Sequence, residues 1–329
     1  MGENGNMKKQ VYDYFIDLES KALPRKNGAI IEDGDKVQRL GIVRQANSAR
    51  DILKYSIENE QFFCKTEGTL RTGLTAHEMA SSKMYGELGI VTPPVYFMKR
   101  NGIIEKYPCR LTQDANTIET LSITPTSEIA TLQNLPIKMG KDLSPYAILY
   151  DKAIREALLS IMTKECFMEL VNIFIAGDLR TDADMHPDNY FLYKEKGATK
   201  YTGIMPIDLE HSQAILHKAY KKEDFSDFAK HKKFDSCIPF KYGYYGLFKE
   251  GYLFSGTHDD RLRNLINLIQ SGNLESSQTD FIKDTINYDL PSSMKAICQK
   301  HGFNKKQQLS CDSVARLWDY NRKVLEKEL

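Results

Sequence analysis

The sequence predicts an α+β protein with a strand-rich first third and a helical remainder. Before residue 70, short apolar segments alternate with polar turns, which is typical of strands. From residue 146 onward, apolar residues recur at helical spacing instead. A polar loop and a hairpin lie at the junction of the helical and sheet patterns.

Composition restricts the class of protein. The 329 residues are enough for one large domain or two ordinary ones. A hydrophobic fraction of 41% and a charged fraction of 27% are typical of soluble globular proteins. The formal net charge is only +1, so we expect no nucleic-acid partner, and any anion must bind to a local patch.

Cysteine usage and hydropathy indicate a cytoplasmic protein. The six cysteines contain no C-x-x-C pair, which favours a reducing compartment over a disulfide scaffold or a zinc site. No apolar run reaches membrane-spanning length, and we expect no transmembrane segment. The start of the chain lacks the apolar core of a secretory signal, although export without a cleaved signal is compatible with the sequence.

The first predicted elements are strands. Residues 39–44 and 51–57 carry apolar side chains on either side of the polar turn at 45–48, and residues 62–65 form the next strand. A helix follows over residues 75–88. Thr75 can cap this helix, with Glu78 as the acid three positions later, and Gly89 ends it.

The middle and end of the chain are predicted to be mainly helical. Another strand at 95–98 precedes a long helix over residues 146–176. Strands at 190–193 and 203–208 then form a hairpin, with a turn at Lys196 and Gly197 between them. Residues 259–329 are largely helical, with breaks at Gly272, Pro291 and Gly302.

Three separated polar features point to phosphoryl transfer. Lys65 lies on a strand and Glu78 on the following helix, the loop 184–189 reads D-M-H-P-D-N, and Asp208 ends an apolar strand. Transfer from ATP needs a cation on the phosphates, metal-binding oxygens and a carboxylate near the nucleophile. Lys65 can supply the cation, and Glu78 can hold it through an ion pair.

The loop and the second acid supply the other groups. Asn189 and Asp208 are oxygen donors of the kind that Mg²⁺ prefers. Asp184 can accept or orient the proton of the substrate. A calcium site is disfavoured because the loop lacks the D-x-D-x-D-G spacing and a closing Glu. The remaining alternative is a polar turn in which these side chains cap the backbone.

In this order, the features resemble the protein kinase-like superfamily, on the side of the HipA-like and phosphoinositide kinases. Those families carry D-x-H-x-x-N in the catalytic loop, and the phosphoinositide kinases read D-R-H-x-D-N. The helix from Glu78, the proline pair at 93–94 and the I-D-L-E segment at 207–210 extend the resemblance. It covers roughly residues 40–212.

The resemblance implies a two-lobed protein kinase-like fold that binds ATP and Mg²⁺ or Mn²⁺. It implies a β-rich N-lobe at residues 1–112, a helical C-lobe at 113–258, and a helical extension at 259–329. It implies that Asp184 is the catalytic acid or base and that His186 braces the loop. It also implies that Asn189 and Asp208 bind the metal and that Lys65 and Glu78 form the phosphate clamp.

The sequence also departs from the kinase pattern. No G-x-G-x-x-G precedes Lys65, and Glu210 replaces the glycine of D-F-G. Glu78 could serve only as the capping acid for Thr75. The predicted function is transfer of the γ-phosphoryl group to a protein Ser or Thr hydroxyl. A phosphoinositide kinase, an AMP transferase and a non-catalytic pseudokinase binding module are the alternatives.

A lysine-rich stretch lies beyond the predicted site. Its members could bind an inositol polyphosphate or a phosphoinositide head group that regulates the enzyme, or they could simply form a solvated helix face. The lysines are Lys218, Lys221, Lys222, Lys230, Lys232 and Lys233.

Overall fold

The protein is described as a computed structural model. Within the described residues, the chain forms two antiparallel sheets and seven helices. The described ranges are 9–14, 37–43, 52–57, 60–66, 73–93, 95–100, 109–114, 127–132, 152–180, 182, 189–210 and 258–329.

The first sheet has six strands in the order β1-β5-β6-β4-β3-β2. The predicted strands at 39–44, 51–57, 62–65 and 95–98 are confirmed as β2 to β5, whereas β1 and β6 were not predicted. The strands are β1 (Lys9–Tyr14), β2 (Val37–Val43), β3 (Ile52–Ile57), β4 (Glu60–Thr66), β5 (Val95–Arg100) and β6 (Cys109–Gln113).

The strand β4 places Lys65 inside this sheet, between β3 and β6. Phe62 and Cys64 are buried, whereas Phe63 and Lys65 are partly exposed. Because successive side chains of a strand point to opposite faces, Lys65 lies on the face opposite Phe62 and Cys64. Its register partner on β6 is Arg110.

The helices occupy most of the described C-terminal half. The predicted long helix at 146–176 is wrong as a single element, since residues 152–179 form two helices. The helices are α1 (Leu74–Glu87), α2 (Lys152–Ile161), α3 (Lys164–Leu179), α4 (His258–Gln270), α5 (Ser276–Asn287), α6 (Leu290–Lys300) and α7 (Lys305–Leu325).

The break between α2 and α3 has a local cause. Thr163 is the N-cap of α3, and its side chain accepts a hydrogen bond from the amide of Cys166 at 3.2 Å. The preceding Met162 forms a parallel bridge with Tyr201. A capping threonine satisfies an amide that has no partner within the helix, so a new helix begins here.

The second sheet contains three strands in the order β7-β8-β9: β7 (Glu128–Thr131), β8 (Tyr190–Lys194) and β9 (Gly203–Pro206). The predicted hairpin is confirmed as β8 and β9. Gly197 has a φ of 83°, a backbone conformation that glycine adopts without strain, and it lies in the predicted turn.

The helix α1 is buried on nearly every side, with twelve of its residues in the interior. It packs against β5 and against α6. Its N-cap is Gly73, with a φ of 93° and no side-chain cap. The prediction that Thr75 caps α1 is therefore wrong, because Thr75 lies within the helix, and the capping-box alternative for Glu78 is wrong with it.

The core joins α1, α3, the second sheet and the C-terminal helices. The buried Asn321 of α7 donates a hydrogen bond to the carbonyl of Leu179 at 2.7 Å. This bond fixes the last turn of α3, directly before Arg180. None of the helices in the described ranges is long and apolar enough to cross a membrane.

Candidate active site

The β8–β9 hairpin brings together the two predicted metal ligands. Tyr190 pairs with Pro206, so Asn189 and Ile207 lie opposite each other just beyond the paired strands. The amide of Ile207 donates a hydrogen bond to the carbonyl of Asn189 at 2.8 Å. Asp208, the next residue, therefore leaves the sheet at the same end as Asn189.

Lys65 contacts Asp208 from the first sheet. Its ammonium group donates a hydrogen bond to Oδ1 of Asp208 and lies 3.9 Å from Oε2 of Glu210. The side chains of Lys65 and Asp208 are 17% and 25% exposed, so this ion pair is accessible to a ligand. The structure thus joins two groups that the sequence separates by 143 positions.

The backbone turns sharply at Asp208. Its φ of 57° is the one left-handed value among the described residues other than glycine, and such a conformation is uncommon for a residue with a side chain. After this turn, Leu209 and Glu210 are buried. The turn therefore keeps the carboxylate of Asp208 partly exposed while the chain returns to the interior.

Arg180 is a buried residue that contacts several parts of the candidate site. It follows α3, its side chain is fully buried, and it pairs with Asp182. It also donates hydrogen bonds to the carbonyl of Leu209 at 2.6 Å and to Oγ of Ser81 on α1 at 3.0 Å. The guanidinium thus contacts three separate segments.

The charge state of Arg180 follows from these contacts. Burial by itself lowers the pKa of a guanidinium. The carboxylate of Asp182 and the hydroxyls of Tyr85 and Tyr190 outweigh that effect, so the pKa of Arg180 lies above its ordinary value. Burial also raises the pKa of Tyr85 to about 12, so Tyr85 packs against the cation as a neutral ring.

Glu78 is buried on α1 and accepts a hydrogen bond from the hydroxyl of Thr112 on β6 at 3.1 Å. This contact ties α1 to the first sheet near β4. The predicted pairing of Glu78 with Lys65 stays a prediction.

Other predicted residues lie outside the described ranges. These are Asp184, His186 and all six lysines of the lysine-rich stretch. Among the residues that the structure does describe, no group of three or more His, Cys, Asp and Glu side chains forms a metal-binding cluster.

Comparison with known proteins identifies the fold. No family model and no curated protein matches the sequence. A similar solved structure is the Helicobacter pylori proinflammatory kinase CtkA, with 14% identity and a TM-score of 0.51, covering 88% of this chain and 93% of that chain. The chain has the protein kinase-like fold. The predicted two-lobed α+β class is confirmed.

A second similar structure has a slightly lower TM-score. It is HipA from a Shewanella oneidensis MR-1 toxin–antitoxin complex with HipB and operator DNA. The identity is 10% and the TM-score 0.49, and the match covers 89% of this chain and 66% of that chain. The fold assignment depends on the first comparison.

Within the kinase-like fold, sequence reasoning missed the contribution of three residues. It noted Glu210 only as a departure from D-F-G and singled out neither Asp182 nor Arg180 as a site residue. A charged residue directly after a long apolar helix was the available signal, because an ionised side chain there needs a partner if it is buried. That signal does not identify the partner.

Proposed function

We propose that the protein is an ATP-dependent phosphotransferase that transfers the γ-phosphoryl group to a Ser or Thr hydroxyl of a protein. The observation that carries the proposal is the contact between Lys65 and Asp208 at the end of the β8–β9 hairpin. A cation and an acid from different parts of the chain meet there, partly exposed. Phosphoryl transfer requires this combination.

The residues present fit a divalent metal. Asn189 and Asp208 offer an amide and a carboxylate oxygen at the same end of one hairpin, and such hard oxygen ligands suit Mg²⁺ or Mn²⁺. When bound, the metal would neutralise charge on the phosphate oxygens. The partial exposure of Asp208 supports the fit.

The chain's own groups would divide the remaining work. Lys65 would exchange its contact with Asp208 for the phosphates, holding them by charge and hydrogen bonds. Asp184 would accept or orient the proton of the attacking hydroxyl. The buried Glu78 would restrain Lys65 from α1, as the sequence resemblance implies.

Two alternatives keep the same nucleotide site. A phosphoinositide kinase differs in its acceptor, and the D-M-H-P-D-N loop resembles that class as well. An AMP transferase differs in which phosphorus is attacked. We propose a protein acceptor, and a labelling assay with both acceptors tests it against a lipid.

Labelled ATP tests the proposal. The protein is incubated with Mg²⁺ or Mn²⁺ and ATP labelled at the γ position, with a parallel reaction labelled at the α position, using a protein and a phosphoinositide acceptor. We expect γ label on the protein acceptor, lost in Asp208→Ala. Label from the α position would instead indicate AMP transfer, and label only on lipid would indicate a lipid kinase.

Regulation by an anionic head group is a separate hypothesis that depends on the lysine-rich stretch. Inositol hexakisphosphate added to the same assay is expected to raise the rate. The variant Lys221→Glu, Lys222→Glu, Lys232→Glu is expected to abolish that increase. Unchanged activity and unchanged polyphosphate binding in this variant would disprove the hypothesis.

A further inference from the structure

Arg180 contacts three parts of the candidate site. Its Nη1 donates to Ser81 on α1 at 3.0 Å and to the carbonyl of Leu209 at 2.6 Å, and its Nη2 pairs with Asp182. Leu209 is bonded directly to Asp208. One fully buried guanidinium therefore connects α1, the segment that carries Asp208 and the start of the predicted catalytic loop.

A second contact joins two of the same parts. Nδ1 of His77, one turn before Ser81 on α1, lies 3.2 Å from the carbonyl of Glu210. The segment 207–210 is thus held to α1 at Leu209, through Arg180, and at Glu210, while the amide of Ile207 donates to the carbonyl of Asn189. These backbone contacts restrain the segment in addition to the contact between Lys65 and the carboxylate of Asp208.

The chemistry of arginine suits this position. Its planar guanidinium presents several N–H donors in a fixed arrangement, so that it can bind a carboxylate, a hydroxyl and a carbonyl together. A buried ion pair can often be replaced by apolar side chains without loss of stability. A charged network here is thus better explained by a need for defined geometry than by a need for stability.

We propose that Arg180 is a positioning residue that sets the location of Asp208 through the carbonyl of Leu209 and couples it to α1 through Ser81. This proposal rests on the proposed phosphotransferase function and extends it. In this role, a shift of α1 would be transmitted to the acid.

Ser81→Ala is the least disruptive test, because it removes one contact of Arg180 and leaves the ion pair with Asp182. Arg180→Lys is the stronger test, since it keeps the charge but loses the fixed arrangement of donors. Ser82→Ala is the matched control. Ser82 is also buried on α1, but its hydroxyl contacts Thr92 and the carbonyl of Pro93 instead.

Two measurements distinguish positioning from a merely structural role. The first is steady-state kinetics, which gives kcat and the Mg²⁺ concentration at half-maximal rate. The second is amide hydrogen exchange of residues 203–210 in the full-length protein without nucleotide. For Ser81→Ala and Arg180→Lys, we expect kcat to fall about tenfold, the Mg²⁺ requirement to rise and exchange to accelerate, with Ser82→Ala unchanged in all three.

Failure of this proposal differs from failure of the proposed function. If the wild-type protein transfers phosphate and Ser81→Ala matches Ser82→Ala in rate, Mg²⁺ requirement and exchange, the positioning role is overturned. If the wild-type protein transfers no phosphate, the proposed function fails, and hydrogen exchange still decides whether Arg180 positions the segment. Should Arg180→Lys fail to fold, Ser81→Ala alone gives the answer.

Discussion

Lys65 of β4 and Asp208 beyond β9 form an ion pair between two separate sheets. The ammonium group also lies 3.9 Å from Glu210, so one cation faces two acids. Either acid would repel the other if Lys65 were removed. This cluster joins the strand-rich and helical parts of the kinase-like fold where the proposed nucleotide site lies.

Replacing Lys65 by Met tests its proposed role as the phosphate cation. Loss of a preorganised charge of this kind lowers kcat by about 10²-fold or more. The free energy of unfolding should fall by about 3 kcal/mol, because removing one partner of a largely buried ion pair is costly. Transfer rates and urea unfolding measure the two effects. Lys83→Met is the control, because Lys83 pairs with Glu87 on α1 and not with an acid of the candidate site.

Retention of the full rate in Lys65→Met would remove this lysine from the proposed site. A loss of stability well beyond that amount, with a proportionate loss of rate, would assign it a structural role instead.

Gly73→Ala is expected to destabilise the contact between α1 and α7. A Cβ atom at Gly73 would lie 2.5 Å from Cβ of Ser310, and the φ of Gly73 is +93°. Backbone strain together with steric overlap should lower the free energy of unfolding by about 2–4 kcal/mol. Urea unfolding measures the loss.

The matched control for this substitution is Gly89→Ala. Gly89 has a φ of +82°, but a Cβ atom there would meet nothing within 4 Å. It should therefore show the backbone cost alone, about 1–2 kcal/mol. Equal losses in the two variants would mean that the close approach of Ser310 contributes nothing.

Glu169 is expected to make the stability depend on pH. Burial raises its pKa from an ordinary 4.5 to about 7, against the opposing effect of its hydrogen bond from the amide of Ile204. Because the folded-state pKa is the higher one, its contribution is fully present below pH 4.5 and is lost as the pH rises to about 7. The free energy involved is about 3 kcal/mol.

Glu169→Gln should remove this pH dependence. Urea unfolding at pH 5 and pH 8 is expected to show a smaller difference for the variant than for the wild-type protein, with the variant more stable at pH 8. Glu195→Gln, at an exposed position, should leave the difference unchanged. If the free energy of unfolding changed between pH 5 and pH 8 by the same amount in the wild-type protein and in Glu169→Gln, the prediction would be contradicted.

Removal of the amide of Asn321 should loosen the end of α3. Its hydrogen bond to the carbonyl of Leu179 is buried, and an unsatisfied buried carbonyl costs about 1–3 kcal/mol. Asn321→Leu should therefore lower the free energy of unfolding by that amount. Asn287→Leu at the end of α5, where the side chain is more exposed, is the control, and equal effects would argue against the bond.

Much of the fold could be predicted from local patterns. Alternation identified β2 to β5, and Gly197 identified the turn between β8 and β9. The break at Thr163 was missed because the apolar periodicity of α2 and α3 continues across it, although the capping threonine was present in the sequence. The strands β1 and β6 depend on pairing with β5, which a local pattern does not reveal.

The candidate site was predictable only in part. The order of its motifs indicated Lys65, Asn189 and Asp208, and the hairpin register brings Asn189 and Asp208 to one end of a sheet. Arg180 was missed because its importance comes from contacts with Ser81 and Leu209, which are far from it in the sequence. Such contacts arise only when the chain is folded.

The most direct test of the account is calorimetric titration of ATP into the full-length protein, with and without Mg²⁺, for the wild-type protein and Asp208→Asn. We predict that Mg²⁺ strengthens ATP binding to the wild-type protein and has little effect on ATP binding to the variant. Absence of ATP binding by the wild-type protein, or an equal effect of Mg²⁺ on both proteins, would contradict a nucleotide and metal site at Lys65 and Asp208.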